Sequence, residues 1–243
     1  MVKVAKLIEL KHQIQYRIIP SVYPPINFFE GIVEASEMEA LFEIESMTND
    51  RLRQEVGDVF LVPVEDRVSG PGSSVVMAAF THIGKVSRFT DGSYGIYYAG
   101  FSLETAIRET VFHRENFLRA TNEEAGDITM RVYEGKIIQP LHDIRSKEYI
   151  DLHHAEDWKS SQKFAREMKK KNSWGLVYNS VRHAGGTCIA VFRPPAVSNP
   201  KQSLHLKYHW NGDQVTAVSS TEIVLELRGQ TTSADRLADQ PVS

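Results

Sequence analysis

The chain predicts an α+β fold, one domain on a mixed, mostly antiparallel sheet. Three observations carry that expectation. Strand-like and helix-like runs alternate without a regular βαβ rhythm, no repeat period is present, and no stretch is long or biased enough to act as a linker. With 243 residues and a hydrophobic share of 42%, the chain can bury a sizeable core. Residues 1–228 are expected to form the domain, with 1–80 as an extended N-terminal part. The polar residues 229–243 are expected to be a disordered tail.

Taken in order, Ile14 to Ile19 is β-leaning and stops at Pro20, which puts Arg17 on a strand, and Pro24-Pro25 marks a turn. From about Ile32 to Glu55 the spacing of Val33, Met38, Leu41, Ile44 and Met47 is helical, with a break at Thr48-Asn49-Asp50. Val59 to Val64 looks like a strand that ends at a proline. Gly70-Pro71-Gly72-Ser73-Ser74 is a loop leading into the apolar run from Val75 to Phe80. Glycine-rich backbone beside two serines can hold a phosphate. The lysine and spacing of a P-loop are absent, however, and Pro71 lacks a donor, so a plain turn is expected.

The stretch from Ser87 to Thr110 organises the chain. It reads as a charged residue at a strand edge, a polar turn, a short aromatic strand, and a helix opening at the capping residue Ser102. Arg88, Tyr98 and Glu109 thus stand at three consecutive element ends, where side chains can converge on a cleft held by a rigid scaffold. On the helix, Leu103, Ile107, Thr110, Val111 and Leu118 form the apolar stripe. Glu109 falls away from it, on a face with Thr105, His113 and Asn116. From the pattern alone Glu109 is either solvated or functional. Tyr98 is a core aromatic with a satisfied hydroxyl or a stacking platform; Arg88 is a phosphate fork or half of an ion pair.

Further on, 127–133 and 136–139 alternate like strands, with a stop at Pro140. Residues 156–171 read as a polar helix whose closing lysines, Lys169 to Lys171, suit its dipole. The segment from Trp174 to Gly186 leads through a glycine pair into a buried strand containing Cys188. Strands at 204–210 and 222–227 are joined through the turn Asn211-Gly212-Asp213.

Composition removes several classes of function. A net charge of −3, from 28 basic and 31 acidic residues, exerts no global pull on nucleic acid or an anionic membrane. With one cysteine there is no internal disulfide. Charge follows the first residues where a secretory signal needs an apolar core, and no apolar run nears the ~18 residues that span a bilayer. A cytoplasmic protein is expected. His142, Asp143, Asp151, His153 and His154 invite a metal, but their spacing fits no known motif and a polar loop is the expectation. Ser180 lacks the glycines of a nucleophile elbow, since Asn179 and Val181 flank it.

Arg88-Phe89, Ile96-Tyr97-Tyr98-Ala99, Glu104-Thr105-Ala106 with Glu109, and Asn179-Ser180-Val181-Arg182 with Gly185-Gly186-Thr187 together resemble the RES domain family. Tyr16-Arg17 resembles its opening strand. Asn49 to Arg53 together with Phe80-Thr81-His82 resembles a longer subgroup, and Phe89-Thr90-Asp91 stands where short members carry Trp-Asn-Pro. The resemblance implies a fold similar to that of ADP-ribosyltransferases. It also implies a bacterial toxin-like enzyme that cleaves the nicotinamide–ribose bond of NAD, as a phosphorylase or glycohydrolase.

In that reading Glu109 stabilises an oxocarbenium-like state, Arg88 fastens the pyrophosphate, and Tyr98 stacks on or orients the nicotinamide ribose end. Ser180 hydrogen-bonds the substrate, and Arg17 is a second phosphate contact. NAD is the substrate, inorganic phosphate a candidate co-substrate, and no metal is required because nicotinamide leaves from a cationic state. The implied partner is an antitoxin with an Xre-type helix-turn-helix, in an oligomeric complex. ADP-ribosyl transfer to a protein, a nucleic-acid-directed toxin with Arg88, Lys169 to Lys171 and exposed tyrosines as contacts, and a non-catalytic interaction domain are the competing readings.

Overall fold

A computed structural model describes residues 4–22, 30, 38, 42 and 56–221. Most of the helical run at 32–55, the turn at Pro24-Pro25, the strand expected at 222–227 and the tail lie outside the described residues. Met38, Phe42 and Val56 are helical and buried against the core.

Nine strands among the described residues form one sheet. They are β1 (Lys6–Ile8), β2 (Ile14–Pro20), β3 (Tyr97–Gly100), β4 (Gly126–Lys136), β5 (Leu141–Asp143), β6 (Gly175–Asn179), β7 (Thr187–Val191), β8 (Lys201–Trp210) and β9 (Val215–Thr221). The spatial order is β1-β5-β6-β7-β3-β2-β4-β8-β9. Only β5 and β6 run parallel; the other pairs are antiparallel. The α+β class with a mixed, mostly antiparallel sheet is therefore what the chain adopts. Three helices of eight residues or more accompany it among the described residues: α1 (Ser73–Thr81), α2 (Leu103–Ala120) and α3 (Lys159–Lys170). No described helix is long and apolar enough to cross a membrane.

Alternation along the strands assigns the faces. On one face α2 covers Ile18, Met130, Val132, Leu206 and Tyr208 through Leu103, Ala106, Ile107 and Val111. On the same face α3 covers Leu176, Cys188 and Ala190 through Phe164, Ala165 and Met168. On the reverse face α1 sets Val76, Met77 and Phe80 against Tyr97, Ala99, Val177 and Ile189. The two helices on the first face leave a gap over β3, and the cleft described below fills it.

Four local expectations change. Val59 to Val64 is not a strand but two 3-10 turns, Val59–Leu61 and Val64–Asp66. The Asp58 carboxylate accepts from Phe60 N at 3.0 Å and closes the first turn, while Pro63 has no N–H for a ladder. Ser73 and Ser74 belong to α1 rather than to the loop, which ends at Gly72 with φ 81°. Of the strands read at 127–133 and 136–139, the first is β4, which runs on to Lys136, and the second is reduced to an isolated bridge between Ile137 and Val197. The partner of β8 is β9 (Val215–Thr221), which begins seven residues before the strand read at 222–227; its register pairs Trp210 with Val215.

The sheet loses a normal ladder between β3 and β2. β3 pairs with β7 over four residues but with β2 only at Tyr16↔Gly100, after which β2 follows β4 from Ile14↔Lys136 to Pro20↔Met130. Where the ladder stops, Arg17 Nη1 donates to Tyr98 O at 3.0 Å, and its guanidinium lies 4.4 Å from the centre of the Tyr97 ring. A side chain thereby satisfies a carbonyl that a neighbouring strand would otherwise serve.

The start of β3 is set by Gly95, where a Cβ would fall 2.1 Å from Ala79 O and 2.5 Å from Phe80 Cα. Both are backbone atoms of α1 and cannot step aside singly. Gly95→Ala is expected to destabilise the protein by roughly 1–3 kcal/mol, read from urea unfolding; an unchanged midpoint would contradict this packing.

Candidate active site

Helix α2 opens as its sequence requires, with Ser102 Oγ accepting from Thr105 N at 3.1 Å. Glu109 follows two turns later on the face turned from the apolar stripe. It is not solvated there: Ser180 Oγ donates to Glu109 Oε1 at 2.5 Å. The same Ser180 oxygen accepts from Arg182 N at 3.1 Å and His183 N at 2.9 Å. Its proton and both lone pairs are thus occupied, so this hydroxyl orients a carboxylate. The loop carrying it is closed by Ser180 N donating to Gly186 O at 2.9 Å. It is pinned to α2 by the 2.9 Å contact between His183 Nδ1 and Thr105 Oγ1.

Tyr98 is a core-packed aromatic with a satisfied hydroxyl, the first of its two readings, and its ring also reaches the cleft. Its hydroxyl lies 2.7 Å from Ser87 Oγ and accepts from Phe89 N at 3.2 Å. Burial pushes its ionisation far up, so the phenol stays neutral and braces the turn that carries Arg88, leaving its ring on the cleft wall. Arg88 is buried and donates through Nη1 to His154 O at 2.7 Å and Leu152 O at 3.4 Å. Its own carbonyl accepts from Ser161 Oγ at 2.6 Å. Carbonyls hold its direction without cancelling its charge, and among the described residues no carboxylate pairs with it.

The cleft encloses about 200 Å³ and is lined by Arg17, Arg88, Tyr98 and Glu109 together with Tyr16, His113, Trp158, Tyr178, Arg182 and Cys188. Four of the five residues expected at the site therefore share one cavity. Ser180 stands behind Glu109 rather than on the wall, because its donor is committed to the carboxylate. Arg182 packs 3.3 Å from the centre of the Phe112 ring and donates through Nη2 to Ala155 O at 2.9 Å. Desolvation lowers its pKa and Glu109 opposes that shift. His113, one turn beyond Glu109, is likewise lowered by desolvation, with Glu109 opposing and Arg182, Arg114 and Arg88 adding. Its position was legible as Glu109 plus four. Trp158 and Tyr178 carry no pattern that marks them before the elements are assembled, and Tyr16 is marked only by the resemblance of Tyr16-Arg17 to the family's opening strand. Cys188 Sγ lies 3.9 Å from Glu109 Oε1; burial and that carboxylate push the thiol far up, so it is a poor nucleophile.

The histidines and aspartates that suggested a metal are engaged singly. His142 Nδ1 contacts Ser173 Oγ at 2.8 Å, and Asp143 is chelated by Arg145 at 2.6 and 2.9 Å. His154 Nδ1 accepts from Glu156 N and Asp157 N. Among the described residues no three His, Cys, Asp or Glu side chains gather.

The fold and cleft define an α+β protein with a carboxylate and several cations at a break in its sheet. A model of the RES domain family matches residues 65–211, and the chain belongs to that family. It is 30% identical over 202 residues to the uncharacterised protein y4oC of Sinorhizobium fredii (strain NBRC 101917 / NGR234), covering 83% of this chain and 84% of that protein. Among solved structures it matches the M. tuberculosis MbcT–MbcA toxin–antitoxin complex with a TM-score of 0.37 and 11% identity, over 52% of this chain and 72% of that one.

His153 links the cleft to pH. Its Nδ1–H donates to Tyr149 O at 2.9 Å, so the neutral ring accepts through Nε2 from Asn179 N, 3.2 Å away and next to Ser180. Desolvation holds its pKa below the ordinary value, with the Tyr149 bond opposing and the Arg88 charge adding to the depression. The folded state therefore binds this proton less readily than the unfolded chain, whose histidine titrates near ~6.5. The stability it contributes is full above that pH and is lost as pH falls below it. The melting temperature is expected to be flat in mildly alkaline buffer and to drop below about pH 6.5, with a shallower drop in His153→Gln. Parallel profiles for the two proteins would remove His153 from the linkage.

Proposed function

We propose that this chain cleaves the nicotinamide–ribose bond of NAD and acts as the toxin of a toxin–antitoxin pair. The observation that carries the reading is the Glu109 carboxylate, oriented by Ser180 at 2.5 Å in a cleft that also holds Arg17, Arg88 and Arg182. A fixed negative charge beside several cations suits a substrate that develops positive charge on its sugar while carrying negative charge on its phosphates. Membership of the RES domain family supports it.

In this reaction the C1′–N bond breaks and its electron pair leaves with nicotinamide, which departs neutral. The ribose is left as an oxocarbenium ion, and Glu109 stabilises it electrostatically. Arg88, its direction fixed by two carbonyls, and Arg17 hold the phosphates. The Tyr98 ring orients the nicotinamide ribose end, its hydroxyl being committed to Ser87 and Phe89. Phosphate or water then bonds to C1′; with water, the released proton passes to Glu109 or to solvent. Ser180 is a positioning residue here, because it meets the substrate only through Glu109. A neutralising partner, of the Xre-type helix-turn-helix class, would act by covering the cleft.

The test is NAD loss over time with purified protein, with and without inorganic phosphate, each variant being checked for folding by circular dichroism. Glu109→Gln is expected to slow NAD loss by about 10²–10³-fold. Ser180→Ala is expected to lower kcat by about tenfold with little change in KM, since it loosens only the orientation of the carboxylate. Arg88→Ala should raise KM. A dependence on phosphate identifies phosphorolysis, and loss without it identifies hydrolysis. Wild-type protein that leaves NAD intact under both conditions sinks the reading.

A further inference from the structure

Behind the Arg17–Tyr98 wall lies a second, larger cavity of about 610 Å³ that also touches Arg17, Ser87 and Tyr98. The two cavities meet where β2 and β3 part. Residues on β2 and β4 alternate between them: Ile18 faces the α2 side, while Ile19, with its ladder partner Arg131, lines the second chamber against α1. The first cavity, at about 200 Å³, is smaller than the ~300–1,000 Å³ of typical small-molecule sites, whereas the second falls within that range. A dinucleotide whose reacting end occupies the cleft must place the rest of itself elsewhere.

The chamber is built for an anion with an apolar body. Among the described residues, Arg17, Lys85, Arg114 and Arg131 line it against one acidic residue, Glu30. Lys85 and Arg114 have no carboxylate partner among the described residues; the Arg114 guanidinium only rests 5.1 Å from the Phe117 ring centre. Two buried polar atoms of its lining residues lack a partner among the described residues, Arg17 Nε from the sheet and Ser74 Oγ from the first turn of α1. Buried donors left unsatisfied are costly and await an acceptor. Ser74 sits in the first turn of α1, at the end of the helix whose dipole favours negative charge. Between these poles Val75, Ala78 and Ile96 supply apolar wall and Tyr94 an aromatic ring.

We infer that this chamber binds the 5′-phosphorylated adenosine half of the dinucleotide, with the phosphate drawn by Arg17, Arg114 and Ser74. The inference rests on the NAD reading of the cleft, so its test uses a ligand that cannot react. Isothermal titration of 5′-AMP, with adenosine as the uncharged control, is run on wild type, Arg114→Ala, Ala78→Phe and Glu109→Gln. AMP is expected to bind wild type and Glu109→Gln alike, to bind Arg114→Ala about tenfold more weakly through loss of one charged contact, and not to bind Ala78→Phe, whose ring fills the chamber. Adenosine should bind more weakly than AMP.

No saturable heat with AMP, or equal affinity in wild type and both chamber variants, overturns the inference. Should Ala78→Phe fail to fold, Arg114→Ala decides alone. If AMP binds as expected while NAD is never consumed, only the catalytic reading fails. If NAD is consumed and the KM for NAD is the same in wild type and Arg114→Ala, with no AMP binding, only the chamber assignment fails.

Discussion

A single arginine replacing a backbone ladder is the constraint from which the rest of this structure follows. Once β2 and β3 have paired at Tyr16↔Gly100, their separation exposes the Tyr98 carbonyl. Arg17 Nη1 caps it and buries a permanent charge against the Tyr97 ring. Burial makes that charge expensive and lowers the pKa of Arg17, with Tyr97 opposing. Described residues supply no carboxylate in return. A fold that keeps such a cation uncompensated at the meeting of two cavities does so at a cost in stability.

The carboxylate end of the cleft is held by a different chain of contacts. Thr105 reaches His183, the loop folds back on Ser180, and Ser180 fixes Glu109. Gly186 is central to this arrangement, since a Cβ there would fall 2.8 Å from Thr105 Oγ1 and 2.9 Å from His183 Nδ1. The negative group is therefore positioned from helix α2 and the β6–β7 loop. The positive groups come from β2, from the turn before β3 and from the β6–β7 loop that also carries Arg182. The opposite charges do not collapse onto one another because each is already held in direction: Arg88 by hydrogen bonds to carbonyls, Arg182 by its bond to Ala155 O and its stacking on the Phe112 ring, Glu109 by the bond from Ser180. Preorganised charge of this kind needs no rearrangement when a substrate arrives.

The central stretch was legible because local chemistry dominates it. Ser102 caps, the apolar stripe buries, and Glu109 is left on the other face, all within one helix. Arg17 on a strand was equally legible, from β-leaning residues before a proline. What could not be read locally depends on partners far along the chain. The commitment of Ser180 to Glu109 spans 71 residues, and that of the Tyr98 hydroxyl is decided by a turn whose shape its own sequence leaves open. The Val59–Val64 segment reads as a strand by composition, yet Asp58 and Pro63 override that preference. β9 was missed because its serines and threonines lack an apolar alternation; its hydrogen bonds to β8, and not burial, make it a strand.

The extent of the family match has a structural consequence. It begins at residue 65, yet β2, at 14–20, lies between β3 and β4 in the middle of the sheet. Without β2 the ladder of β4 from Met130 to Lys136 loses one partner, the sheet divides, and the cleft loses Tyr16 and Arg17. Met38, Phe42 and Val56 likewise pack into the core around α1. The N-terminal part is therefore no accessory to a domain that starts at residue 65. It supplies an interior strand, part of the core and the one cation among the described residues that both cavities share, so the site is complete only when the two ends of the described chain fold together.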